Sequence, residues 1–199
     1  MGDRAAEIAQ ARTAAPASIS GAAEVMVLGR SGYVKAEGGK NGFVCLVQRA
    51  WFSGLKDPGF WNPKLRAPIC FNPQAARSVL PALMARTRWA MAGASQEQIL
   101  TRTRSAMAAG KIPPPAAGAM TFMLSKEAYL GDGPHGPWRP HVMFFMPPSV
   151  ATASWGVGAE GSPVFGASAG IDPWTMFYVP VATWSDGTPD EASEAKHKM

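Results

Sequence analysis

Residues 118–147 read GAMTFMLSKEAYLGDGPHGPWRPHVMFFMP. Two apolar runs within it, 119–124 and 141–146, are short, bounded by turn residues and rich in aromatic and methionine side chains, which predicts a pair of strands. The loop between them carries Asp132, His135 and Trp138, and the second run opens on His141. Polar side chains gathered where a loop meets two strands mark the place for a concave site. Alternation along the second run sets His141 on one face with Met143 and Phe145.

Working outward, three earlier runs read as strands: 24–28 (EVMVL), 33–36 and 43–48 (FVCLVQ). Glycine-rich turns separate them, so the chain is expected to open with an antiparallel meander. In the third run Phe43, Cys45 and Val47 share one face and Val44 and Leu46 the other, and both faces are expected to be covered. Residues 51–72 read as a long irregular connection pinned by Trp51, Phe52, Phe60 and Trp61. Asn72-Pro73 is a helix start, Pro81 restarts the helix, and Gly93-Ala94 breaks it. Ser95 and Gln98 form a capping box for a second helix that Gly110 ends. A last strand is expected over 174–184, where Pro180 implies an edge position or a bulge. The predicted class is α+β: an antiparallel sheet built from the N-terminal meander and the C-terminal strands, with a helical pair (73–110) packed on one face. Residues 1–20 form an N-terminal helix and lead-in, 21–184 a single domain, and 185–199 a polar tail expected to be disordered.

The totals agree with one folded domain. Of 199 residues, 47% are apolar and 17% charged, which supplies a core and excludes wholesale disorder. No run approaches the roughly 18 apolar residues of a membrane helix. The net charge of +5 is local, because residues 73–111 hold six basic side chains and one acid, Glu97. A solvated helix face explains that cluster without a nucleic-acid partner. The start, MGDRAAEIAQ, lacks the apolar core of a secretory signal, which fits a cytosolic chain or a mature form with a replaced start. Cys45 and Cys70 are too few for a metal site of their own. They either form a disulfide, contributing roughly 3–4 kcal/mol in the chain-entropy model, or are two buried thiols.

Several motifs suggest chemistry. Gly166-Ala-Ser168-Ala-Gly170 matches the nucleophile elbow G-x-S-x-G, but Asp172-Pro173 discourages the helix that must follow. Gly156-Val-Gly158-Ala-Glu-Gly161 matches G-x-G-x-x-G without the strand before it or the helix after it. Ser125 and Lys126 are adjacent, so on a strand they point to opposite faces. The helices around Gly93 have a helix-turn-helix outline, in which Arg102 and Arg104 would meet DNA. Asp132, His135 and His141 do not fix a metal geometry by spacing. The candidate catalytic groups are therefore His141 as general base, Asp132 and Ser168, with His135, Trp138 and Tyr178 as binding residues, and no cofactor or metal.

The phrases NGFVCLVQRAWF, FWNPKLRAPICFNP, GAMTFMLSKEAYL, PHVMFFMP and VPVATWSDGT together resemble a family of small exported bacterial proteins with no assigned activity. The likeness runs from about Glu7 to Thr188. It implies a periplasmic or secreted setting and a Cys45–Cys70 pair in an oxidising compartment. The expected function is extracytoplasmic small-molecule binding near the 125–141 loop. The alternatives are a small hydrolase using His141 and DNA binding through the 82–110 helix pair.

Overall fold

A computed structural model describes residues 3–54, 57–129, 139–167 and 172–190. Eight strands form one mixed, mostly antiparallel sheet: β1 (Glu24–Leu28), β2 (Tyr33–Glu37), β3 (Val44–Gln48), β4 (Ala67–Phe71), β5 (Met120–Met123), β6 (His141–Met146), β7 (Phe165–Ala167) and β8 (Thr175–Pro180). Their order is β2-β1-β3-β4-β5-β6-β8-β7. The α-helices among the described residues are α1 (Arg4–Arg12), α2 (Ala17–Ser20), α3 (Pro73–Ser78), α4 (Leu80–Met91) and α5 (Gln96–Ala108). The class is α+β, as the residue pattern predicts, and β5 and β6 pair along their length.

The opening strands depart from a meander. β1 and β2 form an antiparallel hairpin, but β3 lies on the other side of β1 and runs parallel to it. The glycine-rich stretch after β2 is a crossover rather than a hairpin turn. It passes so close beneath β1 that a Cβ on Gly39 would fall 2.1 Å from the Glu24 nitrogen. Only glycine permits that approach.

The supposed irregular connection hides β4, the most buried strand, with all five residues buried. A proline inside a central strand normally argues against a strand. Here the register removes the conflict. Cys45 and Cys70 are direct partners, with Cα atoms 4.0 Å apart, the close spacing of a non-hydrogen-bonded pair. Pro68, two residues earlier, has the same character opposite Val47, so its nitrogen points away from β3. On that side the β5 pairing has already ended at Cys70 and Phe122. The missing N–H therefore costs no ladder bond. Cys45 and Cys70 are joined in a disulfide.

Helices cover both faces of this half of the sheet. Leu46, Ile69 and Phe71 pack against Ala75 of α3, Val79 at the junction of α3 and α4, and Leu83 of α4. Asn72 caps α3 by accepting from Ala75 N, and its amide donates to the Gly118 carbonyl, which ties the helix start to the entry of β5. Ser95 and Gln98 make the predicted capping box of α5, which packs its Ile99 with Ala90 and Ala94. On the opposite face α1 is more than a surface helix. Its Ala11 packs with Val25 and Val47, and its buried Glu7 accepts from Arg49 Nη2 at 2.9 Å and Leu28 N at 3.1 Å. Arg49 Nη1 and the Tyr33 hydroxyl both donate to the Val47 carbonyl, and burial pushes the Tyr33 phenol above its ordinary range.

Two expectations about the C-terminal part are corrected. β8 ends at Pro180 and is not an edge strand, since β7 flanks it over residues 176–178. Pro180 stands past the end of β7, where its nitrogen needs no partner. Residues 185–190 of the tail are a packed turn: Lys126 Nζ binds Asp186 Oδ2 at 2.9 Å, and Asp190 pairs with Arg139. Hydrogen bonds from Thr188 and Lys126 hold the Asp186 carboxyl well below the usual range.

Candidate functional site

Residues paired across a sheet share a face. Met123 opposes His141, Met143 opposes Tyr178, and Phe145 opposes Met176, so all six point to the face that α3 and α4 occupy over β3–β5. Beside β6 and β8 that face is overlain by Leu83 of α4 and by a roof of Phe52, Ser53, Gly54, Asp57, Gly59 and Leu65. Between sheet and roof lies a cavity of about 690 Å³, a size typical of small-molecule sites. The reverse face of the same strands is closed, because Trp155 stacks on Phe177 at 4.5 Å and leans on Phe144.

His141 lines the cavity at the first residue of β6, half-buried, with Tyr178 edge-on at 5.9 Å between ring centroids. Its Nδ1 donates to the Arg139 carbonyl at 2.8 Å. A carbonyl only accepts, so Nδ1 carries the proton and Nε2 the lone pair of the neutral ring. Burial lowers the His141 pKa below its ordinary value, more than the Arg139 carbonyl raises it. The imidazole is thus neutral near pH 7. Phe165 of β7 stacks on Tyr178 at 5.2 Å and extends the wall.

The far end of the cavity is about 13 Å away, four residues along β6. Phe145 and Trp174 meet there edge to face at 5.6 Å. Asp172 lines that end, with its Oδ1 2.5 Å from Nη2 of Arg86, while Arg86 Nη1 donates to the Ser53 carbonyl at 2.9 Å. The Arg86 side chain is 2% exposed. The sequence reading missed this pair, taking Arg86 as part of a solvated basic face and Asp172 as a helix breaker. One signal was present: Val79, Leu83, Arg86 and Ala90 follow a three-to-four spacing, so a cation stands inside an apolar helix stripe.

The structure brings His141 and Tyr178 together at the cavity. Asp132, His135, Trp138 and Ser168 lie outside the described residues. Ser125 and Lys126 have separate partners, the serine hydroxyl meeting Thr13 Oγ1 at 2.6 Å and the ammonium meeting Asp186. Gly156, Gly158 and Gly161 all have positive φ and follow a single 3-10 turn, with β7 rather than a helix next. Gly166 is a packing residue, since a Cβ there would lie 2.9 Å from the Phe177 ring and 3.0 Å from Val157. Arg102 and Arg104 are exposed on α5, but Arg86 is withdrawn from the basic cluster by Asp172. Among the described residues no three His, Cys, Asp or Glu side chains group as metal ligands, and no helix is long and apolar enough to cross a membrane.

Comparison with protein-family models, with curated proteins and with solved structures returned no match to this chain.

Proposed function

We propose that the protein is an extracytoplasmic binding domain for a small, elongated, mostly apolar molecule, with His141 as the polar handle. The observation that carries this reading is the cavity: an apolar slot walled by Met123, Met143, Phe145, Met176 and Tyr178, with a neutral imidazole at one end. Large apolar side chains facing a void, with a few convergent polar groups, are what ligand sites offer. The Cys45–Cys70 disulfide supports an oxidising compartment.

The test is uptake of a neutral apolar fluorophore, followed by energy transfer from tryptophan, in the wild type and in Met143→Trp. The larger ring would project into the slot between His141 and Phe145 and narrow it, so uptake should weaken while the fold persists. Equal uptake by both proteins would place the fluorophore elsewhere and sink the reading. A hydrolase using His141 predicts instead that the wild type turns over a panel of aryl esters and that His141→Ala does not. The Nδ1 partner found here, a main-chain carbonyl rather than a carboxylate, favours binding over that chemistry.

A further inference from the structure

The charge within the cavity runs against the charge of the chain. The protein carries +5 overall, yet two carboxylates, Asp57 and Asp172, line the Trp174 end against one guanidinium, that of Arg86, which lies behind the wall. Gly54 joins the two acids. Asp57 N donates to the Gly54 carbonyl at 2.9 Å, and Asp172 Oδ2 lies 3.4 Å from the place a Gly54 Cβ would occupy. Asp57 Oδ1 accepts from Gly59 N at 2.7 Å. Among the described residues no second cation stands within ion-pair distance of either acid. At the other end of the cavity Arg139 is matched by Asp190 at 2.8 Å. Of the described carboxylates lining the cavity, Asp57 belongs to none of these ion pairs, and it sits at the aromatic end.

The walls there suit a cation. Phe145 and Trp174 stand at 89° to one another, both buried, so two ring planes make a corner, and Phe52 adjoins it in the roof. The face of an aromatic ring attracts a cation, most strongly when water is excluded. An anion placed at the same end would meet two carboxylates, with the one guanidinium already engaged on Asp172 and Ser53.

We infer that the cavity takes a cationic amphiphile, an alkylamine or quaternary ammonium. Its charged end sits among Asp57, Asp172 and the Phe145–Trp174 corner, and its apolar body lies over Met143 and Met176 toward His141. This rests on the binding function proposed above and adds the ligand class.

Three probes with one tail and different heads separate the two claims: octyltrimethylammonium, 1-octanol and octanoate, titrated calorimetrically and by tryptophan fluorescence. The ammonium should bind about tenfold more tightly than the alcohol, and octanoate most weakly. Raising salt should weaken the ammonium alone. Asp57→Asn is the variant of choice because Asp57 is exposed and outside the buried pair; it should shrink the ammonium-to-alcohol ratio several-fold. Equal binding of the three probes, a preference for octanoate, or an unchanged ratio in Asp57→Asn would overturn the cation assignment and leave the binding function standing. Binding of none of them would overturn the binding function, and this inference with it.

Discussion

Asp172→Asn is the sharpest test of how the aromatic end of the cavity is built. The substitution keeps size and an acceptor oxygen but deletes the charge that faces a guanidinium only 2% exposed. Breaking a buried pair by removing one partner costs about 3–5 kcal/mol, because the remaining charge is stranded. Two features lower that figure. The Asp172 side chain is 20% exposed, so water reaches it, and the asparagine oxygen can still accept from Nη2. The expected loss is about 2–3 kcal/mol, or roughly 4–12 °C in Tm for a chain of this size. Most of it should come from the charge, which a double-mutant cycle isolates. Arg86→Met keeps an unbranched stem in the apolar helix stripe and removes the cation. In that background Asp172→Asn should cost less than about 0.5 kcal/mol. The assay is urea unfolding of the four proteins, comparing midpoints at equal m-values. A coupling energy below about 0.5 kcal/mol would show that cavity water already screens the pair.

Four further outcomes follow from the packing. The folded pKa of His141 lies below that of the unfolded chain, so its contribution is intact above about pH 6.5 and is lost as pH falls from there toward the folded value. The decline should not exceed about 1.4 kcal/mol per pH unit, and it should be absent in His141→Gln, as pH-dependent unfolding will show. Gly166→Ala drives a methyl against Phe177 and Val157 and should cost about 1–3 kcal/mol, with a loss of near-ultraviolet dichroism from the Trp155–Phe177 stack. Thr121 Oγ1 is buried with no hydrogen-bond partner, so Thr121→Val should leave stability unchanged or raise it by about 1 kcal/mol in thermal unfolding. Cys45→Ser with Cys70→Ser should lower the urea midpoint by the equivalent of about 3–4 kcal/mol, and intact mass should rise by two hydrogens when the wild type is reduced.

What the residues revealed follows their periodicity. β5 and β6 were legible because their apolar runs are bounded by turns, and His141, Met143 and Phe145 fall on one face by alternation alone. The capping box at Ser95 and the Asn72-Pro73 start were legible because caps are local chemistry. β4 was hidden because a strand buried on both faces does not alternate, and because Pro68 reads as a loop until the register shows where its nitrogen points. The crossover at Gly39 looked like a hairpin turn, since glycine serves a close approach and a tight turn equally well. The Arg86–Asp172 pair joins residues 86 positions apart, and no local pattern couples groups so distant.

The cavity is better understood as something the fold leaves open than as a fault in its packing. Helices α3 and α4 cover the sheet over β3–β5, and α5 stacks chiefly on α4 instead of continuing the layer over β6 and β8. Had those strands simply faced solvent, polar residues at alternate positions would suffice. They carry Met143, Phe145, Met176 and Tyr178 there instead, while Trp155 seals their reverse face. The roof above them is pinned through two 3-10 turns, Ala50–Phe52 and Pro58–Trp61. Phe52 packs edge-on against Tyr33 at 5.5 Å, and Phe60 is buried among Ala90, Ala94 and Ile99. Between this roof and the sheet the cavity is lined by Met123, Met143 and Met176, and methionines adapt to irregular partners. An apolar surface facing a void gains most from a third body placed against it, and on the binding function proposed above a bound molecule would be the missing layer of that half of the sheet.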